Sequence, residues 1–172
     1  MILITAFEPF GGKTWNASSM ILERLNEVFD KRLLPVSISG AKTEIEQLNV
    51  GLYQAIIMLG EANRSYLSLE QFAYNEIDMR IPDNTGVQIN QQTIDDGQTY
   101  QTPFQLEPWV KSGIQISDDP GRYLCNYAYY QMGKKHPNVL FIHVSADIDK
   151  IDLQTKEIEE IIDEIKTISI AR

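Results

Sequence analysis

Short apolar runs alternate along this chain with segments in which apolar positions recur at helical spacing. That rhythm predicts an α/β protein with a largely parallel sheet. The runs predict strands over 1–6, 33–38, 54–59, 114–117 and 138–144. Between the first two, 17–29 carries Met20, Ile21, Leu25, Val28 and Phe29 on one stripe, and 42–50 is a shorter helix with Ile45 and Leu48. The clearest helix is 152–168, where Ile158, Ile161, Ile162 and Ile165 share a face and Glu157, Glu159, Glu160 and Asp163 occupy the others. A further helix start is announced by Asp118-Asp119-Pro120. The stretch 70–112 is broken by Pro82, Gly86, Asp96-Gly97, Pro103 and Pro108, and reads as hairpin and loop.

Composition narrows the classes. With 172 residues and 43% hydrophobic content, 1–172 is expected to form a single domain with an ordinary core. A formal net charge of −9 argues against gripping nucleic acid or an anionic membrane, both of which need clustered Lys and Arg. No stretch reaches transmembrane length, and the first residues, apolar but short and without a basic flank, read as a strand rather than a signal segment. One cysteine excludes an internal disulfide and points to the cytoplasm.

That cysteine, Cys125, follows the predicted helix start, where a thiol is easier to ionise. His143, one of two histidines, ends the last apolar run, at the kind of strand end where α/β folds place their chemistry. Each has a plain alternative, a structural thiol and a packed histidine, and Glu70 taken alone reads as a surface carboxylate. One Cys and two His offer no chelating pair, so no metal is expected. Phe7-Glu8-Pro9-Phe10-Gly11-Gly12 makes a tight loop after the first strand, either presenting ring faces to a ligand or tucking both phenylalanines into the core. A dinucleotide fingerprint is disfavoured because the third glycine is missing.

The order of these blocks, from Phe7–Gly12 through Glu70, Arg80-Ile81-Pro82-Asp83-Asn84 and Leu124-Cys125-Asn126 to Phe141-Ile142-His143, resembles the pyroglutamyl peptidase I family of cysteine peptidases (type C15) from Met1 to about Ser145. The resemblance implies a three-layer α/β/α fold, phosphorylase/hydrolase-like, with a mostly parallel, mixed central sheet. It further implies a cytoplasmic omega-peptidase that removes N-terminal pyroglutamate from small peptides, needs no cofactor, contacts neither nucleic acid nor membrane, and forms homo-oligomers. Carried over by position, Cys125 is the nucleophile, His143 the base and Glu70 the acid of a triad, with Arg80 contributing to the oxyanion site. Phe7, Phe10, Asn16, Glu61, Tyr123 and Leu124 are the implied substrate-binding positions.

Departures from the family pattern open alternatives. Gly60-Glu61-Ala62-Asn63-Arg64 stands where the family reads Gly-Gln-Ala-Gly-Gly-Arg, and Asp118-Asp119-Pro120-Gly121-Arg122 stands where the family has a segment ending in Ala-Gly-Thr. Glu61 is expected to accept a hydrogen bond but to oppose thiolate formation, with Arg122 as a counter-charge. A different small acyl or amide substrate, or a non-catalytic ligand-binding relative, are the competing readings.

Overall fold

The structure, a computed structural model, describes residues 1–168. A six-stranded sheet is built from β1 (Ile2–Phe7), β2 (Asp30–Leu34), β3 (Ala55–Ala62), β4 (Leu67–Glu70), β7 (Ile114–Ser117) and β8 (Val139–Ser145), in the order β2-β1-β3-β8-β4-β7. Strands β1, β2, β3 and β8 are mutually parallel, while β4 runs antiparallel to β8 and β7 follows β4. Between β4 and β7 the chain forms a small separate pair, β5 (Phe72–Ala73) and β6 (Tyr100–Gln101), within the irregular stretch its prolines and glycines predict.

Alternation along each strand sends side chains to two separate cores. Ile4, Ala6, Ile57, Leu59, Leu140 and Ile142 face one side, where α1 (Ala17–Arg24) contributes Ile21 and α4 (Ile151–Thr167) contributes Ile158, Ile161, Ile162 and Ile165. Leu3, Phe7, Ile56, Met58, Val139 and Phe141 face the other, covered by α2 (Ile38–Gln47) and α3 (Leu124–Lys135). Central strands buried on both faces explain why β3 and β8 read as continuous apolar runs. The α/β/α arrangement is the expected one, and no described helix is long and apolar enough to cross a membrane.

Several boundaries differ from expectation. The second strand is Asp30–Leu34 rather than 33–38, because an edge strand tolerates an exposed Arg32 and a Lys31 whose ammonium reaches the Leu25 carbonyl, while Pro35 cannot donate to a ladder. The following helix therefore begins earlier than 42: Ser37 is its N-cap, accepting from the Gly40 N–H at 3.0 Å. The first helix stops at Arg24 rather than running to 29, so Val28 is 72% exposed instead of lying on the buried stripe. Asp118 and Asp119 do not cap α3; Asp119 accepts from the Gly121 N–H at 3.0 Å in a turn where Gly121 sits at φ +78°, and the helix starts at Leu124.

Candidate active site

Strand parity assembles the site. On β8, His143 points to the same face as Val139 and Phe141, toward α3. On β4, Leu67 and Leu69 join the opposite core, which turns Ser68 and Glu70 to the α3 face. Ser68 lies directly opposite His143, and Glu70 opposite Phe141, so Glu70 reaches His143 along the diagonal of an antiparallel pair. The Glu70 Oε1 lies 2.7 Å from His143 Nδ1. Both side chains are buried, Glu70 completely, in contrast to the surface position that a lone carboxylate suggested.

Cys125 is the second residue of α3, which descends onto β3 and β8. Its Sγ occupies the space above Gly60: a Cβ there would lie 2.8 Å from Sγ and 2.6 Å from the Phe141 ring. Gly60 is paired with His143 in the β3–β8 register, so the missing side chain is what seats the thiol beside the imidazole strand. Asn126, fully buried, fastens this helix start to the β5 extension. Its Oδ1 accepts from the Tyr74 N–H at 2.8 Å and its Nδ2 donates to the carbonyls of Tyr74 and Glu76, each at 2.9 Å.

The thiol is not the easily ionised group that its place at a helix N-terminus suggested. Burial, the nearby Glu70 and then Glu61 push it up to about 12, against an opposing effect of Arg64. A helix terminus contributes about 0.3–1 kcal/mol at an exposed site, too little to reverse that. Among the described residues no hydrogen bond joins Sγ to the imidazole, while Cys125 keeps part of its surface on the cleft.

A single cleft of about 630 Å³ gathers Cys125, His143, Phe7, Phe10, Asn16, Glu61, Tyr123, Leu124 and Arg80, every residue singled out from the sequence except Glu70, which stands behind His143. The Phe7–Gly12 loop divides its phenylalanines between the two readings. Phe7 is 2% exposed and packs on Phe141, whereas Phe10 is half-buried with its ring 6.0 Å from that of Tyr123. Gly11 and Gly12, at φ +63° and +78°, allow the reversal that returns the chain to α1. Asn16 is the N-cap of that helix, its Oδ1 accepting from the Ser18 N–H at 2.9 Å.

Both Glu61 oxygens are engaged. Oε2 accepts from the Ala17 N–H at 2.7 Å, and Oε1 pairs with Lys13, whose ammonium also lies over the Trp15 ring. Lys13 is thus the counter-charge expected of Arg122, which instead pairs with Glu76 and Asp119 and stacks on Tyr74. Arg64, given no role beforehand, donates to Glu70 at 2.9 Å and lines the cleft. Among the described residues the first turn of α3 has no side-chain cap, leaving the N–H groups of Leu124 and Cys125 as candidate donors at the cleft. Among the described residues no three His, Cys, Asp or Glu side chains converge as a metal site requires.

Comparison with known proteins places this chain in a family. Residues 1–153 match the model of the family described as pyroglutamyl peptidase. The pyrrolidone-carboxylate peptidase of Pyrococcus furiosus is 36% identical, the match covering 87% of this chain and 85% of that protein. The Clostridium botulinum enzyme of the same name is 29% identical over 93% of this chain and 87% of its own. Among solved structures, a mutant pyrrolidone carboxyl peptidase from P. furiosus superposes with a TM-score of 0.87 at 28% identity, covering 98% of this chain and 99% of its own. The Thermus thermophilus enzyme gives 0.84 at 29% identity, covering 92% and 96%.

Proposed function

The chain belongs to the pyroglutamyl peptidase family, a family of cysteine hydrolases, and from that premise we propose that it removes N-terminal pyroglutamate from peptides through Cys125, His143 and Glu70. The observation that carries the proposal is the 2.7 Å contact between Glu70 and His143 Nδ1, made behind a cleft that Cys125 and His143 both line. With Nδ1 held by Glu70, Nε2 is the nitrogen left to act as base.

A thiol that rests protonated requires proton transfer coupled to attack. As the S–C bond forms on the pyroglutamyl carbonyl, the thiol proton passes to His143 Nε2, and the oxyanion is met by the uncapped N–H groups of the α3 first turn, with Arg80 adding charge from the rim. Collapse breaks the C–N bond, and the imidazolium returns its proton to the departing amine. Water, deprotonated by His143, then cleaves the thioester, releasing pyroglutamate and the thiol. Phe10 and Tyr123 supply apolar faces for the lactam ring above the buried Phe7, Asn16 holds the loop that carries Phe10, the Leu124 N–H suits the lactam carbonyl and Glu61 its N–H. A nucleophile that is a free thiol fits a reducing compartment, the cytoplasm.

The test is release of aminomethylcoumarin from its pyroglutamyl amide by the wild type and by Cys125→Ala. Turnover in the wild type alone is expected, with a loss of at least about 1000-fold in the variant. Undiminished activity in Cys125→Ala would overturn the mechanism. Wild-type inertness toward pyroglutamyl amides, with activity on other blocked aminoacyl amides, would overturn the specificity.

A further inference from the structure

Glu70 is buried away from water, and its carboxyl group is held through one oxygen. Oε1 lies 2.7 Å from His143 Nδ1 and accepts from Arg64 Nη1 at 2.9 Å, whereas Oε2 is buried and has no hydrogen-bond partner among the described residues. The other guanidinium contacts fix where that hydrogen bond comes from. Nη1 also donates to Ser117 Oγ at 3.3 Å, and Nη2 to the Asp119 carbonyl at 2.9 Å, so Arg64 is tied to the end of β7 and to the loop that leads into the nucleophile's helix. A buried carboxylate without a compensating cation takes up a proton rather than remain charged, and a protonated Glu70 no longer serves as the acceptor that orients the imidazole.

We infer that Arg64 is a positioning residue of the catalytic machinery, holding Glu70 ionised and aimed at His143 while tying that pair to the Cys125 loop. The inference rests on the proposed roles of Cys125, His143 and Glu70. The groups facing the Glu70–His143 pair are Glu61 on β3, Arg64 on the turn after β3, Ser117 and Asp119 at the end of β7, and Cys125 and Tyr129 on α3, the last donating to the Glu70 carbonyl at 3.0 Å. Glu61 already has its own cation in Lys13. Among these described neighbours Arg64 is the cation bound to Glu70 itself.

The experiment compares the wild type with Arg64→Met and Arg64→Lys in kcat and KM across pH. Arg64→Met is expected to lose about 100-fold in kcat with KM within about threefold. Its acid limb should move to higher pH by about one unit, because the pair no longer faces a cation and keeps its proton longer. Arg64→Lys should recover the limb and most of kcat. His136 and His143 are the only histidines, so an NMR imidazole titration, with the signal absent from His143→Gln assigned to His143, makes the same comparison without turnover. Coincident titrations in wild type and Arg64→Met would overturn the inference, as would equal losses in Arg64→Lys and Arg64→Met. If Arg64→Met does not fold, Arg64→Gln carries the same expectations. Absence of turnover in the wild type would count against the proposed function, and the imidazole titration would still decide the role of Arg64.

Discussion

The Cys125 thiol, raised to about 12, is protonated at neutral pH, so in the proposed reaction the nucleophile is made during attack rather than stored as an ion pair. The sign fixes an expectation. The alkylation rate of Cys125 by iodoacetamide should climb about tenfold per pH unit from 7 to 10, since the thiolate fraction stays small throughout. Glu61→Gln, which removes one of the two carboxylates acting on the thiol, should react severalfold faster at pH 8. A plateau below pH 7 would instead mean a preformed thiolate. Because the chain has one cysteine, the measurement reports on this thiol alone. Scarcity is also why Cys125 and His143 were legible in the sequence. Lys13 and Arg64 were not, because nothing local marks a lysine or arginine whose partner, Glu61 or Glu70, is chosen by the fold.

Elements carry the next level of constraint, and α3 shows it best. Its start has no side-chain cap of its own and depends on Asn126, whose three hydrogen bonds to Tyr74 and Glu76 pull the helix onto the chain after β5. Asn126→Ala leaves three part-buried backbone groups without these partners and should cost about 1–3 kcal/mol in denaturant unfolding, with a larger relative loss of activity because Cys125 is the adjacent residue. A change below about 0.5 kcal/mol would refute the staple. Long apolar strands and the isoleucine stripe of α4 were readable because burial on both faces, or on one helical face, writes itself into composition. Strand β4 was not readable. Four residues, Leu67-Ser68-Leu69-Glu70, alternate too briefly to announce a strand, and that is how Glu70 passed for a surface residue. The α2 start was hidden in the same way, since the run through Leu33, Leu34 and Val36 continued the strand across Pro35 and over the Ser37 cap.

At the scale of the whole molecule, the three layers followed from the rhythm of runs and stripes, but the reversal of β4 and β7 did not. The short connection over 63–66 reverses β4 relative to β3 and β8, and the irregular stretch after β4 brings β7 back parallel to it; no local pattern encodes either. The α3 layer also buries a set of acids in their neutral form. Burial raises Tyr129 and Tyr100, Tyr130 is raised by burial and by Asp95, and Cys125 is raised as described. Groups held above their unfolded values contribute stability in full below those values and lose it as pH climbs toward the folded ones. The melting temperature should therefore be nearly flat from pH 7 to 9 and fall steeply above about 10, and Tyr129→Phe should fall less steeply. Identical slopes would remove Tyr129 from that account. Gly60 adds a consequence for how this chain can vary. Its α-hydrogen faces the sulfur at a distance no methyl group can share, and every single-nucleotide change of a glycine codon that alters the residue adds at least one carbon there. The Cys125 thiol is thus exposed to point mutation at two codons, its own and that of a residue with no side chain at all.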